Sequence, residues 1–246
     1  MTVAALIYWG YTRYPYYLQD ITLGSVAPSF DHWFGTDPLG RDLFSRVIYA
    51  CGISLAVGFA ATALAVGLGG IYGTLSGYYG GWLDQLLMGG VDVMYPIPLT
   101  LIVILLMILF GQNVAVLFIA IGCVKWMTTA RIVRSEVLKL RETGYVQVAR
   151  GLGETTAQIL RWHIVPNLRR ILLTCFAVTL PGVILLESFL SFIGLGIQPP
   201  QSSLGILISE GARHIGVHPW EVLFPSLTMI AIIFALTSYG QKLQGE

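Results

Sequence analysis

Charge is what this sequence has least of. Aspartate, glutamate, lysine and arginine together make up 11% of 246 residues, against about 25% in an ordinary soluble domain. With 55% hydrophobic residues and a mean hydropathy of +0.74, that scarcity excludes a soluble fold. It leaves a polytopic membrane protein of one domain, residues 1–246. Cysteine is also rare: Cys51, Cys123 and Cys175 are far apart, and no CxxC or Cys/His metal spacing exists. They read as small buried side chains, and no metal site is expected. The G-x-x-x-x-G-K-[ST] loop is missing, and none of the three lysines follows a glycine loop. H-E-x-x-H and G-x-S-x-G are missing too. The chain is therefore expected to have no catalytic residues and no cofactor of its own. Uphill transport would have to draw on a partner or an ion gradient. The first residues carry no basic region and no small-residue cleavage site, unlike a secretory signal peptide.

What charge there is lies unevenly. Nine of the fourteen basic residues fall between Lys125 and Arg170, opposed there only by Glu136, Glu142 and Glu154. Arginine and lysine accumulate on the cytoplasmic side of membrane proteins, so this region is expected inside. Its greasy flanks argue against nucleic acid as the partner of the basic patch.

The apolar runs predict all-α spans. Met1–Tyr11 is about half the roughly 20 residues a spanning helix needs and reads as a short first helix. Trp9, Tyr11, Tyr14, Tyr16 and Tyr17 resemble an interfacial aromatic belt. An outer loop covers about 12–46. Within it, Thr36 or Asp37 is expected to cap a helix with Pro38 in its first turn, lying along the interface before turning inward. Clear spans follow at Ile53–Gly77, Trp82–Phe110 (kinked at Pro96 and Pro98), Val114–Leu138, Leu168–Phe192 and Val222–Tyr239. The first of these is rich in Gly and Ala, which let helices pack closely. Pro181-Gly182 reads as a bend, and 194–220 as a long outer loop.

Between two of these runs lies a polar island, Gly144–Asn167, within a cytoplasmic loop of about 141–167. Tyr145, Val148, Ala149 and Leu152 recur at helical spacing, Gly153 breaks the turn, and a second short helix is expected from about Thr155 to His163. Pro166 marks the entry to the next span, where a missing N–H does little harm. Such a stiff helix–glycine–helix elbow is suited to being gripped by another protein.

In this island Gln147-Val148-Ala149, Gly153 and Ile164-Val165-Pro166-Asn167 stand at the spacing of the EAA loop of ABC-importer permeases, with glutamine at the usual glutamate position and valine at the first alanine. Phe34-Gly35-Thr36-Asp37-Pro38-Leu39-Gly40-Arg41-Asp42 with Ser45-Arg46 resembles the segment after the first span of the C-type permease of dipeptide and oligopeptide importers. Ser191-Phe192-Ile193-Gly194-Leu195-Gly196-Ile197-Gln198-Pro199-Pro200 is similar to an outer loop of the same subunit. The likeness covers roughly Phe34–Tyr239 and departs at both ends. It implies a type I importer permease fold in the inner membrane of a bacterium. It also implies a sister permease, two ATPase subunits that bind ATP and magnesium, and an extracytoplasmic substrate-binding protein.

On that resemblance Tyr145, Gln147, Val148, Ala149, Arg150, Gly153 and Pro166 form the ATPase-docking loop. Arg131, Arg134, Lys139 and Arg141 read as topology determinants instead. Glu187 is open between two readings. As an intramembrane carboxylate it is a candidate for the translocation path, where it would receive a peptide ammonium; equally, it makes a helix-packing hydrogen bond. Asp84 and Asp92 read as structural. His214 and His218, without a carboxylate cluster, are weak evidence of metal. Peptide import is the main reading, with nickel or metal-chelate import in the same family as the alternative. An ion-coupled secondary transporter should show internal repeats and midplane charges, and neither is evident.

Overall fold

The structure, a computed structural model, describes residues 13–198 and 201–245. The proposed first helix, Met1–Tyr11, lies outside the described residues. Elsewhere the regular structure is helical: α1 (Leu43–Tyr79), α2 (Gly81–Met94), α3 (Leu99–Phe110), α4 (Val114–Arg141), α5 (Gly144–Gly151), α6 (Thr156–Ile159), α7 (Val165–Phe192), α8 (Leu204–Ala212) and α9 (Trp220–Gly245). A π turn, Leu160–Ile164, joins α6 to α7 without a break. Among the described residues four helical stretches are long and apolar enough to cross a membrane, or five if the bent pair α2–α3 counts as one.

Small residues on α1 decide how the bundle closes. A Cβ placed on Gly69 would meet Trp126 O at 2.5 Å, one on Gly73 would meet Ala130 O at 2.4 Å, and one on Gly77 would meet Arg134 O at 2.8 Å. These glycines are four residues apart, so they form one stripe on which the backbone of α4 lies directly. Lipid gives helices no hydrophobic reason to associate, so such close backbone contact is what binds them. The expectation drawn from glycine and alanine content therefore holds. A second layer comes from side chains: Val57 and Ala61 of α1, Val103 and Met107 of α3, Leu117 and Ile121 of α4, and Val183 and Leu190 of α7 share one buried cluster.

Charges at the end of the bundle that carries the basic run serve packing. Arg134 of α4 makes a two-pronged ion pair with Asp84 of α2, both contacts at 2.5 Å, and Ser76 of α1 donates to the same carboxylate. Arg131 reaches Asp92 at 2.6 Å and lies 4.1 Å from the Tyr95 ring centre. Arg141 Nη1 donates to Gly77 O and Tyr78 O at 3.3 and 3.4 Å, covering carbonyls that the end of α1 leaves free. The structural reading of the two aspartates is thus met. Three of the four basic residues read as topology determinants also tie helices together.

Four expectations are corrected. The helix after the TDPLGRD stretch begins at Leu43, capped by Asp42, whose carboxylate accepts from Ser45 N. Asp37 instead closes a turn, accepting from Leu39 N and Arg41 N at 2.9 and 3.0 Å. No separate interfacial helix precedes the span; α1 runs unbroken for 37 residues, about 55 Å at 1.5 Å per residue. The kink at Pro96 and Pro98 is a full break, with α2 and α3 bent by 83°. Two prolines spaced by one residue remove two donors; Tyr95 keeps helical geometry, and the chain leaves it by Pro98, at ψ 105°. Finally, the long loop 194–220 contains α8, which packs beside Leu43, Val47 and Ala50 through Leu204 and Leu207.

Candidate functional site

The elbow starts where α4 ends. Thr143 takes extended geometry and precedes α5. Gln147 Nε2 folds back to donate to Glu142 O at 3.1 Å. Within α5, Val146 and Ala149 point inward, 0% and 4% exposed, and join Tyr78, Val133, Val137, Ile159, Ile164 and Leu168 in a buried cluster. The opposite face is apolar and open. Tyr145, Val148 and Leu152, at i, i+3 and i+7, are 45%, 61% and 79% exposed. That spacing places them on one ridge.

Gly153 turns the chain at φ +83°, and a Cβ there would touch nothing within 4 Å. The need for glycine is thus conformational and not steric. Thr155 then caps α6 in a reciprocal capping box with Gln158, which fixes the direction of the returning helix. Two contacts brace the elbow across its opening. His163 Nε2 lies 3.0 Å from Glu154 Oε2, and Asn167 Nδ2 donates to Tyr145 Oη at 3.3 Å. Arg150 stands with its guanidinium 5.8 Å from the Tyr78 ring centre.

The returning helix does not stop at His163 as expected. It passes through the π turn into α7, so that Thr156–Phe192 is one helical stretch of 37 residues. Pro166 lies inside this continuity, at the first turn of α7. Lacking an N–H, it cannot bond to Trp162 O, and the widened turn precedes it. The consequence is mechanical: a push on the elbow is delivered straight into a membrane-crossing helix.

Of the predicted docking residues, Tyr145, Gln147, Val148, Arg150, Gly153 and Pro166 are at the surface. Ala149 is not; it is the small inward contact that lets α5 lie close to its base. Sequence reasoning missed Leu152 as the most exposed member of the ridge. It also missed Trp162 and Val165, which are exposed nearby in sequence at 63% and 47%. The signal for Leu152 was present in its spacing from Tyr145 and Val148.

Glu187 is not on an open passage of this chain. It is 0% exposed and accepts from Ser191 Oγ at 2.8 Å, Ser54 Oγ at 2.9 Å and Ser188 Oγ at 3.3 Å. This geometry favours the packing reading. Among the described residues no group of three or more His, Cys, Asp or Glu is placed to hold a metal. His214 instead lies 3.4 Å from Glu221.

Residues 65–243 match the family described as binding-protein-dependent transport system inner membrane component. The oligopeptide transport system permease protein OppC of Haemophilus influenzae is 42% identical over 227 residues, covering 92% of this chain and 73% of that protein. The dipeptide transport system permease protein DppC of Bacillus subtilis is 39% identical over 227 residues, covering 92% and 71%. In fold, the chain is similar to a chain of the MetNI methionine ABC transporter in an inward facing conformation. The TM-score is 0.67 at 16% identity, over 80% of this chain and 94% of that one.

Proposed function

The chain belongs to the family of binding-protein-dependent transport system inner membrane components, and from that premise we propose that it is a permease subunit for dipeptides or oligopeptides. It sits in the cytoplasmic membrane of a bacterium, paired with a sister permease. Two ATPase subunits, which bind ATP and magnesium, drive it from the inside, and a substrate-binding protein delivers peptide from the outside. The ridge Tyr145–Val148–Leu152 seats in a groove of an ATPase subunit, with Arg150 beside it. When the ATPases close on nucleotide, the groove moves. The Gly153 turn and its two braces pass that movement into α7 as a rigid lever. This chain contributes no catalysis; it converts motion at its basic end into a change of shape in the bundle.

The observation that carries the substrate class is the run of relatives at 37–42% identity named for oligopeptide or dipeptide transport. Nickel or chelate import has no comparable support. Cells lacking this chain should fail to grow when a required amino acid is supplied only as a dipeptide or short oligopeptide. Restoring the chain should restore growth and leave nickel accumulation unchanged. Restored nickel uptake without peptide use would favour the alternative.

A further inference from the structure

One cation of α4 is unlike the others. Arg131, Arg134, Lys139 and Arg141 each have a carboxylate partner, namely Asp92, Asp84, Glu136 and Glu142. Lys125, on the same helix, has no ion pair or hydrogen bond to any described residue. It lies about 16 Å from Val114, where α4 begins, and about 24 Å from Arg141, where it ends. With a hydrocarbon core about 30 Å thick, that places it near the middle of the membrane. Side chains on a helix lean toward its N-terminus, here the end away from the arginines, so Lys125 is not aimed back at the basic end. An ammonium at that depth must face water or an anion, because lipid offers it neither charge nor hydrogen bond.

The neighbours of Lys125 mark the side it faces. Between Lys125 and Arg141 the exposed residues of α4 are Thr128, Ile132, Ser135 and Lys139. Together with half-buried Lys125 they alternate in steps of three and four, which makes one stripe along a helix. All but Ile132 are polar. The open faces of α3 (Leu101, Leu105, Ile108) and α9 (Leu223, Leu227, Ile230, Phe234) are apolar and suit lipid. Nor is the stripe built like a helix contact. α1 meets α4 through glycines, whereas Lys125, Ile132 and Lys139 are long and hold a neighbouring helix off. A polar face of this kind, running from mid-membrane to the basic end, fits a water-filled passage.

We propose that the stripe from Lys125 to Lys139 lines the passage, and that Lys125 Nζ binds the carboxylate of the substrate as it crosses the middle of the membrane. This rests on the permease reading above and names the group of the peptide that is recognised. Every linear peptide ends in a carboxylate, and leaving it unpaired at that depth is costly. A lysine is a point charge on a flexible stem, so it can meet that carboxylate whatever side chains precede it. Thr128, one turn along the stripe, offers a hydroxyl beside it.

The assembled transporter, with all its subunits, is placed in vesicles. In this chain Cys51, Cys123 and Cys175 are replaced by alanine and Thr128→Cys is added. Charged methanethiosulfonate reagents are applied, and modification of this chain is read by mass. The anionic reagent should react faster than the cationic one, and Lys125→Gln should lower that ratio at least about tenfold. Failure of both reagents to reach Thr128→Cys, with and without nucleotide, would overturn the proposal, since the stripe would then be sealed against lipid or the sister permease. A ratio that ignores Lys125 would overturn it as well. In uptake, a short peptide is compared with its C-terminally amidated form. Only the ratio is compared between variants, so the binding protein's own preference cancels. Lys125→Gln should lower the preference for the free acid at least about tenfold, and Lys125→Arg should keep most of it. An unchanged preference in Lys125→Gln would overturn the carboxylate assignment. Labelling as expected without peptide uptake by the wild type would overturn the peptide reading and still support an anion-facing Lys125 in the passage.

Discussion

Valine at position 153 should leave the chain inserted and assembled, yet cut ATP-driven uptake at least about tenfold. The space around Gly153 is empty, with no atom within 4 Å of an added Cβ, so no clash occurs. The obstacle is φ +83°, where an L-residue costs roughly 1–2 kcal/mol and a branched one more. The elbow meets that cost by relaxing the turn, which changes the angle between α5 and α6 and loosens the Glu154–His163 and Tyr145–Asn167 braces. A tenfold effect needs only about 1.4 kcal/mol. Asparagine, which tolerates the left-handed region better than other non-glycine residues, should retain most uptake. Equal losses for Val and Asn would point to an effect of size. Normal uptake in the valine variant would count against the lever.

The second large effect should come from the ridge. Val148→Asp with Leu152→Asp should reduce retention of the ATPase subunits on the purified permease by on the order of 100-fold. Each side chain is more than half exposed in this chain, so its own fold loses little by the change. In the docked complex, burying two such apolar groups contributes about 2–3 kcal/mol in total at partial burial, and a carboxylate left in an apolar groove adds a desolvation cost. Binding changes tenfold for each 1.4 kcal/mol. Ala149→Asp is the instructive contrast: that residue is 4% exposed, so the variant should damage the elbow itself and lower expression. Full retention of the ATPases by the double variant would place the docking surface elsewhere.

Much of this was legible in the residues because membrane helices obey few rules. The glycine stripe of α1, the arginine-rich end and the turn at Gly153 each follow from one local property: size, charge or backbone freedom. What escaped required knowledge of distant partners. Asp37 and Asp42 are equally good caps by type, and the choice falls to Asp42 because Arg41 and Arg46 claim Asp37. The nine residues of α8 are too few to stand out inside a loop with three prolines and three serines. Ala149 and Val148 are adjacent, and only the packing of Val146 against Ile159 and Ile164 decides which of them faces in. The Ser54–Glu187 hydrogen bond joins positions 133 apart in the chain, which no spacing rule connects. The 83° break at Tyr95–Pro98 was signposted by its prolines, but its size depends on α3 finding a bed on α4 through Val103 and Met107.

The measurement that bears most directly on the whole account is uptake of a labelled oligopeptide into vesicles of defined composition. Vesicles holding the permease pair, both ATPases, the binding protein and ATP should accumulate peptide. Vesicles holding this chain with its sister permease, but neither ATPase, should not, whatever ion gradient is imposed. Accumulation by the permeases alone would contradict the claim that this chain is a passive lever worked from its basic end.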